Sequence, residues 1–479
     1  MGASSPQPAP LCRRARGVIR FWPHLLAVAF LHVGYHRAQF SDQDRERLYQ
    51  TFLADPVGAS LADPLGALRV HHVRDGDEYL YLSWADLMLG RPVDREYLRS
   101  QSDERISLLP FSDARPLLPY RDFVFQYPPL ALAPILLPAA ITTDPVLYPY
   151  AFGTLAGLAA LGIAVTGWSI RTHLAGPISP RTYLWLSALG LFLVGVTLET
   201  RLDVFAAAAV AVALWAALTD RWGLAGLLLG LGAAIKLYPG LLFPVFIAFP
   251  VAEGNRRKAV ASSIAFASAV VLACAVPAIV SWSGFLHALE LQSARELQIE
   301  SVAATAVAWM KLAAGSSVET VRAFGARDIV ADSSHTLASI CRLLVLLMVL
   351  IGASVAWLGA RERRLIDAVA VTIAGIWIAS PVLSPQYLVW GLPVMLFVRS
   401  PAARFLYLLA LAVTRIEYPA CYPFIAHFSL PGLAILTIRN GLLIATWAVL
   451  AGDAFTRRRG AHRTLPGSDL PERPLADRA

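Results

Sequence analysis

The sequence predicts an all-α polytopic membrane protein with about twelve transmembrane helices, on three observations. Of its 479 residues, 57% are hydrophobic and 15% charged, with a mean hydropathy of +0.56, whereas soluble domains carry about 25% charged residues. The apolar residues come in long blocks, not in a period of about 3.6 or 2.0 residues, which is the pattern of helices surrounded by lipid. The basic residues fall between the blocks: Arg13, Arg14, Arg16 and Arg20; Arg171 and Arg181; Arg256, Arg257 and Lys258; Arg361, Arg363 and Arg364; Arg457, Arg458 and Arg459. Cytoplasmic loops carry such clusters. A net charge of +8 spread in this way is not the one-sided patch that nucleic acid requires.

Residues 1–17 read as a Pro/Ser/Arg-rich cytoplasmic tail and 18–37 as the first span. Its apolar run ends in Tyr35-His36-Arg37-Ala38-Gln39, not in small residues, so it is expected to remain uncleaved. Residues 38–123 are polar with short amphipathic patches such as 79–89. They are expected to form a long extracytoplasmic loop of amphipathic helices on the membrane surface. Residues 124–141 contain Pro128, Pro129, Pro134 and Pro138 and read as a re-entrant segment, tolerated only where protein or water covers its backbone.

Further spans are expected near 147–170, 182–198, 203–218, 222–235, 238–251, 259–280, 336–359, 365–381, 384–398, 404–417 and 431–450. With the N-terminus inside, these put every basic cluster on the cytoplasmic side. They also group the 38–123 loop, the 199–203 turn, Lys236, the 281–335 loop and the 380–386 corner on the other. Residues 18–453 then form one transmembrane catalytic domain, and 454–479 a disordered cytoplasmic tail.

The chemistry is sought where acids stand close to this scaffold. Arg74-Asp75-Gly76-Asp77-Glu78-Tyr79 places three carboxylates in four residues. Crowding and desolvation raise carboxyl pKa values, so Asp75, Asp77 and Glu78 are candidate general bases for sugar transfer to a hydroxyl. A solvated acidic loop is the plain alternative. Arg201 and Asp203, with Glu199 beside them, are charges close to hydrocarbon, where charge is costly and often functional. Arg201 can bind a lipid phosphate that Asp203 orients, or the two can form a helix-capping ion pair.

Lys236 follows an apolar run and precedes Tyr238-Pro239. It either snorkels to headgroups or meets a phosphate as a point charge. Residues 287–301 read as a polar amphipathic helix presenting Arg295, with Gln298 and Glu300 near its end. Ser380-Pro381 and Ser384-Pro385-Gln386-Tyr387 form a corner where Gln386 can hydrogen-bond a sugar, or simply a tight turn. Cys12, Cys274, Cys341 and Cys421 lack metal-ligand spacing and read as free thiols. No metal or cofactor is expected. Phosphate-cradling glycine loops and Gly-x-Ser-x-Gly are absent from the sequence.

These residues resemble a known group. Asp77-Glu78-Tyr79 on a first extracytoplasmic loop resembles the aspartate-bearing loop of GT-C fold glycosyltransferases, and the wider pattern is similar to bacterial glycosyltransferase family 87, the alpha-mannosyltransferase-like family. That pattern is Leu89-Gly90-Arg91-Pro92, Pro119-Tyr120-Arg121-Asp122-Phe123, Tyr127-Pro128-Pro129-Leu130, Ala225-Gly226-Leu227, Ile235-Lys236-Leu237-Tyr238-Pro239, Leu297-Gln298-Ile299-Glu300-Ser301 and Ser384-Pro385-Gln386-Tyr387.

The resemblance implies a polyprenyl-phosphate donor of mannose or a related hexose, an extracytoplasmic lipid or glycan acceptor, and inversion at the sugar. It implies a loop aspartate as base, Asp77 first, with Asp75 and Glu78 behind it. Lys236, Arg201 and Arg295 are then the phosphate cations, and Tyr127, Asp203, Tyr238, Gln298, Glu300 and Gln386 the substrate contacts. The expected location is the bacterial plasma membrane with both termini cytoplasmic. A secondary transporter or lipid flippase is the competing reading, and it predicts paired interrupted helices in two halves, which the sequence lacks.

Overall fold

A computed structural model describes residues 21–36, 77–93, 115–145, 147–173, 177–323, 325–360 and 364–461. The described chain is mostly helical. Helix α1 spans Trp22–His36, α2 Asp77–Leu89, α3 Leu132–Ile141, α4 Leu147–His173, α5 Pro180–Val194 and the short α6 Thr197–Thr200. There follow α7 (Asp203–Leu218), α8 (Trp222–Ala233), α9 (Tyr238–Ala252), α10 (Arg256–Val280), α11 (Trp282–Ser293) and α12 (Val302–Ala313). The chain ends with α13 (Ser334–Gly359), α14 (Leu365–Ala379), α15 (Pro401–Glu417), α16 (Tyr422–Ala426) and α17 (Leu430–Ala461).

Membrane character is carried most clearly by α4, α10, α13 and α17, which are long and apolar enough to cross a bilayer. Exposed Ile264, Val271, Leu272 and Ile279 on α10, and Leu343, Leu346 and Leu350 on α13, form the apolar outer surface. Twelve spans are predicted. The apolar helices α7, α8, α9, α12 and α14, like α3, are shorter than the roughly 20 residues of a perpendicular span. Helix α3 has ten residues, about 15 Å or half the hydrocarbon thickness.

Close helix packing has a visible cause in α8. A Cβ at Gly226 would lie 2.1 Å from the Ser262 carbonyl oxygen, and one at Gly230 2.7 Å from Ala269 Cβ. The bare face Gly226-x-x-x-Gly230 therefore lets α8 lie directly on α10. Lys236 follows α8 by one turn, so this contact fixes its height in the bundle.

The structure corrects several expectations. Residues 384–398 do not form an α-helix. Pro385–Gly391 is a 3-10 helix followed by turns, and most of the segment is buried. It runs back along α14, because residue 381 lies at the end of α14 while Arg399 meets Asp367 in the first turn of the same helix. Two prolines and a glycine within the segment, Pro385, Gly391 and Pro393, disfavour a continuous α-helix there. Protein covers the non-helical backbone, as a membrane interior requires.

Residues 287–301 are not one helix either: α11 stops at Ser293, and the chain then extends so that Gln298 bridges Asp328. The all-α prediction also missed an antiparallel hairpin, Glu319–Ala323 with Ala326–Val330. The 79–89 patch packs one face against protein. Helix α2 buries Glu78, Tyr81, Leu82, Trp84, Ala85 and Leu87 beside Phe125, Ile135, Tyr148 and Phe152. Apolar and aromatic residues occupy most of its turns and supply this packing. The 182–198 span is divided at Gly195, and α17 continues past the expected tail boundary at 454. Asp75, Cys12 and the first basic cluster lie outside the described residues.

Candidate active site

Three turns and one buried segment meet at one end of the bundle. Asp203 opens α7 and is 1% exposed. A carboxylate in the first turn of a helix faces the positive end of the backbone dipole. Its Oδ2 accepts from Lys236 Nζ at 3.2 Å, and its Oδ1 accepts from Trp390 Nε1 at 2.8 Å. Trp390 is stacked between Tyr238 at 4.1 Å and Tyr387 at 4.2 Å. Lys236 Nζ lies 5.0 Å from the Tyr127 ring centre and 5.6 Å from that of Tyr387, within cation–π range. Burial pushes the Lys236 ammonium towards neutrality, but Asp203, Tyr127 and Tyr387 outweigh it and hold the pKa above its usual value. Lys236 is therefore a fixed positive charge.

A second pair stands beside the first. Arg201, the residue that joins α6 to α7, forms an ion pair with Asp77 and donates to Tyr418 Oη at 3.4 Å. Asp77 is the first residue of α2 and retains 23% side-chain exposure, while Tyr81 Oη donates to its Oδ2 at 3.5 Å. Glu78 turns inward, is 2% exposed and lies in electrostatic range of Tyr81 and Tyr148. The acidic cluster is thereby divided among its described members: Asp77 meets the site cation and Glu78 the core.

The other predicted residues take distinct places. Gln298 Nε2 donates to Ser384 Oγ at 2.8 Å, and its backbone N–H donates to the Pro381 carbonyl at 3.0 Å. It ties the 281–335 region to the 380–384 corner. Glu300 is 2% exposed and lies in electrostatic range of Glu417, Arg439, Arg201 and Arg295. Burial, and then Glu417, push its carboxyl pKa up to about 8 against the opposing pull of the arginines. Arg439 and Asn440 donate to the Glu300 carbonyl at 2.6 and 3.3 Å. Arg295 joins this group as one of the charges acting on Glu300. Tyr238 is 3% exposed beneath Trp390 and is a wall of the site. Gln386 is half-buried in the turn next to Tyr387.

Sequence reasoning missed Trp390, Tyr418 and the Glu417–Arg439 pair, in which Arg439 Nη2 and Glu417 Oε1 are 3.4 Å apart and neither side chain is exposed. Arg439 and Asn440 stand inside an apolar block, where a charge is itself a signal. Trp390 gave none, since a tryptophan in an apolar run reads as core. Among the described residues, no three of histidine, cysteine, aspartate and glutamate come together as metal ligands. A cavity of about 520 Å³ lies at the opposite end, between Arg171, Asp220, Glu253, Lys258, Arg364 and Arg399. It holds no predicted site residue.

The paired cations, aromatic walls and apolar scaffold define a membrane protein with a charged site at one end of a helical bundle. Residues 125–385, more than half of the chain, match the family model for Glycosyltransferase family 87. The chain belongs to that family and is a glycosyltransferase. Tyr127, Arg201, Asp203, Lys236, Arg295, Gln298 and Glu300 lie in the matched region; Asp77, Gln386, Trp390 and Tyr418 lie outside it. No curated protein and no solved structure matches the chain.

Proposed function

We propose that this glycosyltransferase moves a hexose, mannose in the first instance, from a polyprenyl-phosphate donor to a lipid or glycan acceptor on the extracytoplasmic face of a bacterial plasma membrane. Both termini would be cytoplasmic and the transfer inverting. The observation that carries this reading is the ion pair of Asp77 with Arg201, beside Lys236 and Asp203, at one end of an apolar bundle.

In the reaction, the acceptor oxygen attacks the sugar C1 as the bond from C1 to the phosphate oxygen breaks. The acceptor proton passes to Asp77, and the electron pair of the broken bond leaves on the lipid phosphate. Arg201 and Lys236 face the negative charge that develops there. Asp77 is engaged by Arg201 in the resting ion pair. A donor phosphate that draws Arg201 towards itself would free the carboxylate to receive the acceptor proton. Substrate binding and activation of the base are then one event. Gln386 and Tyr387, both part-buried beside Trp390, would meet the sugar.

The test is transfer of radiolabelled sugar from polyprenyl-phosphate donors in membranes, comparing wild type with Asp77→Asn, Asp75→Asn and Glu78→Gln. Asp77→Asn is expected to lose activity by about 100-fold or more, the usual scale of a general base. Full activity in all three variants would sink the catalytic assignment.

A further inference from the structure

Both cations of the site are already matched by an acid: Arg201 by Asp77, and Lys236 by Asp203. A third cation at the same end differs. Arg415 lies in the last turn of α15, three residues before Tyr418, whose hydroxyl accepts from Arg201. Its Nη1 is buried and has no hydrogen-bond partner. Among the described residues, no hydrogen bond or ion pair reaches its guanidinium.

The fold makes a place for this side chain. A Cβ at Gly195 would lie 2.5 Å from Arg415 Nη1 and 2.7 Å from its Cδ. Gly195 also has φ +70, in the left-handed region that side chains disfavour. The turn that ends α5 is thus a notch shaped to the guanidinium. The same turn leads through α6 into Arg201.

The surroundings indicate what approaches. Phe405, Leu409 and Ile416 on α15 are exposed and recur on one helix face, which makes that face the lipid contact. Tyr407, Leu411 and Thr414 are buried. Arg415 stands between the two faces, at the end of the helix that carries the site. A half-buried arginine at a bilayer edge, without a protein anion, suits the planar, bidentate recognition of phosphate.

We infer that Arg415, held in the Gly195 notch, is a binding residue for a lipid phosphate at the bilayer edge of the site, where a lipid-linked donor enters before its phosphate reaches Arg201. This rests on the proposed use of a lipid-phosphate donor. A phosphate on a prenyl chain and one in a phospholipid headgroup share the relevant chemistry, and the experiment separates them.

The full-length protein in nanodiscs of phosphatidylcholine is titrated with farnesyl phosphate and with farnesol. Wild type is expected to prefer the phosphate. Arg415→Gln should weaken farnesyl phosphate binding about tenfold while leaving farnesol binding unchanged, which also reports that the variant is folded. Arg415→Lys should fall between the two. Repetition in phosphatidylglycerol nanodiscs identifies the source. Unchanged farnesyl phosphate affinity there assigns the residue to prenyl phosphates, and competition present in wild type but absent in Arg415→Gln assigns it to headgroups.

Farnesyl phosphate bound equally by wild type and Arg415→Gln, or no better than farnesol by wild type, overturns the inference. The binding readout is independent of catalysis. An active Asp77→Asn variant would remove the proposed base without touching Arg415, and a silent Arg415→Gln would do the reverse.

Discussion

At the scale of single residues, two buried acids make opposite demands. Asp203 is charge-matched, with Lys236 and Trp390 on its two oxygens. Removing one partner of such a pair leaves a buried charge, at a cost of about 3–5 kcal/mol. Lys236→Met is therefore expected to lower the melting temperature as well as activity, and Lys236→Met with Asp203→Leu to recover stability but not transfer. Thermal unfolding followed beside the sugar-transfer assay checks both. Glu300 is the reverse case. Its carboxyl is held protonated up to about pH 8, against an ordinary value of 4.5. Between those values the folded state keeps a proton that the unfolded state has released, so this stabilisation is complete below about pH 4.5 and is lost as pH rises through 8. Melting temperatures of wild type should fall across that window, and Glu300→Gln should flatten the fall. Parallel profiles for the two proteins would contradict this origin.

At the scale of elements, the decisive piece is the non-helical return segment that carries Tyr387 and Trp390. Trp390→Phe keeps the ring stack with Tyr238 and Tyr387 but removes the donor to Asp203. A hydrogen bond to a charged group is worth about 1.5–3 kcal/mol, and the donor KM is expected to rise as Lys236 and Asp203 lose their fixed geometry. The bare face of α8 is the second such element. Gly226→Leu would drive a side chain into the Ser262 backbone, costing about 1–3 kcal/mol and displacing Lys236 at the helix end. Both losses would appear together, in unfolding and in turnover.

These two elements mark what the sequence made legible. The limits of α7 and the approximate course of α8, α9 and α14 follow from hydrophobic blocks, and Arg201, Asp203 and Lys236 stand out as charges at block ends. The pairing did not: Arg201 and Asp203 are two residues apart, yet each takes a distant partner, Asp77 and Lys236. Spacing along a chain does not say which acid folds over which base. The return segment is as apolar as a span, and hydropathy cannot distinguish a helix from buried turns. Arg415 reads as an ordinary last-turn cation until the glycine opposite it is seen.

At the scale of the whole molecule, the two ends are chemically unlike. One gathers Asp77, Arg201, Lys236, Glu300 and Arg415. The other gathers Arg171, Lys258, Arg364 and Arg399 around the cavity. On the proposed topology, which follows the positive-inside rule, the second end would be cytoplasmic. On a cysteine-free background, Ser316→Cys should react with a membrane-impermeant maleimide added outside intact cells, while Arg257→Cys should react only after the membrane is opened. Labelling of both from one side would reject the assignment.

The pairing of Arg201 and Lys236, each with its own aspartate, has one more consequence. On the proposed mechanism such a site would select by exchange instead of capture. A neutral glycolipid offers nothing that Arg201 would accept in place of Asp77, and a weakly charged ion gains little by displacing a carboxylate already in contact. Only a ligand whose anion competes with a carboxylate, and whose apolar tail holds it at the bilayer edge long enough to do so, can open the pair. On the proposed mechanism, the resting ion pairs would themselves exclude most of the membrane components around the site.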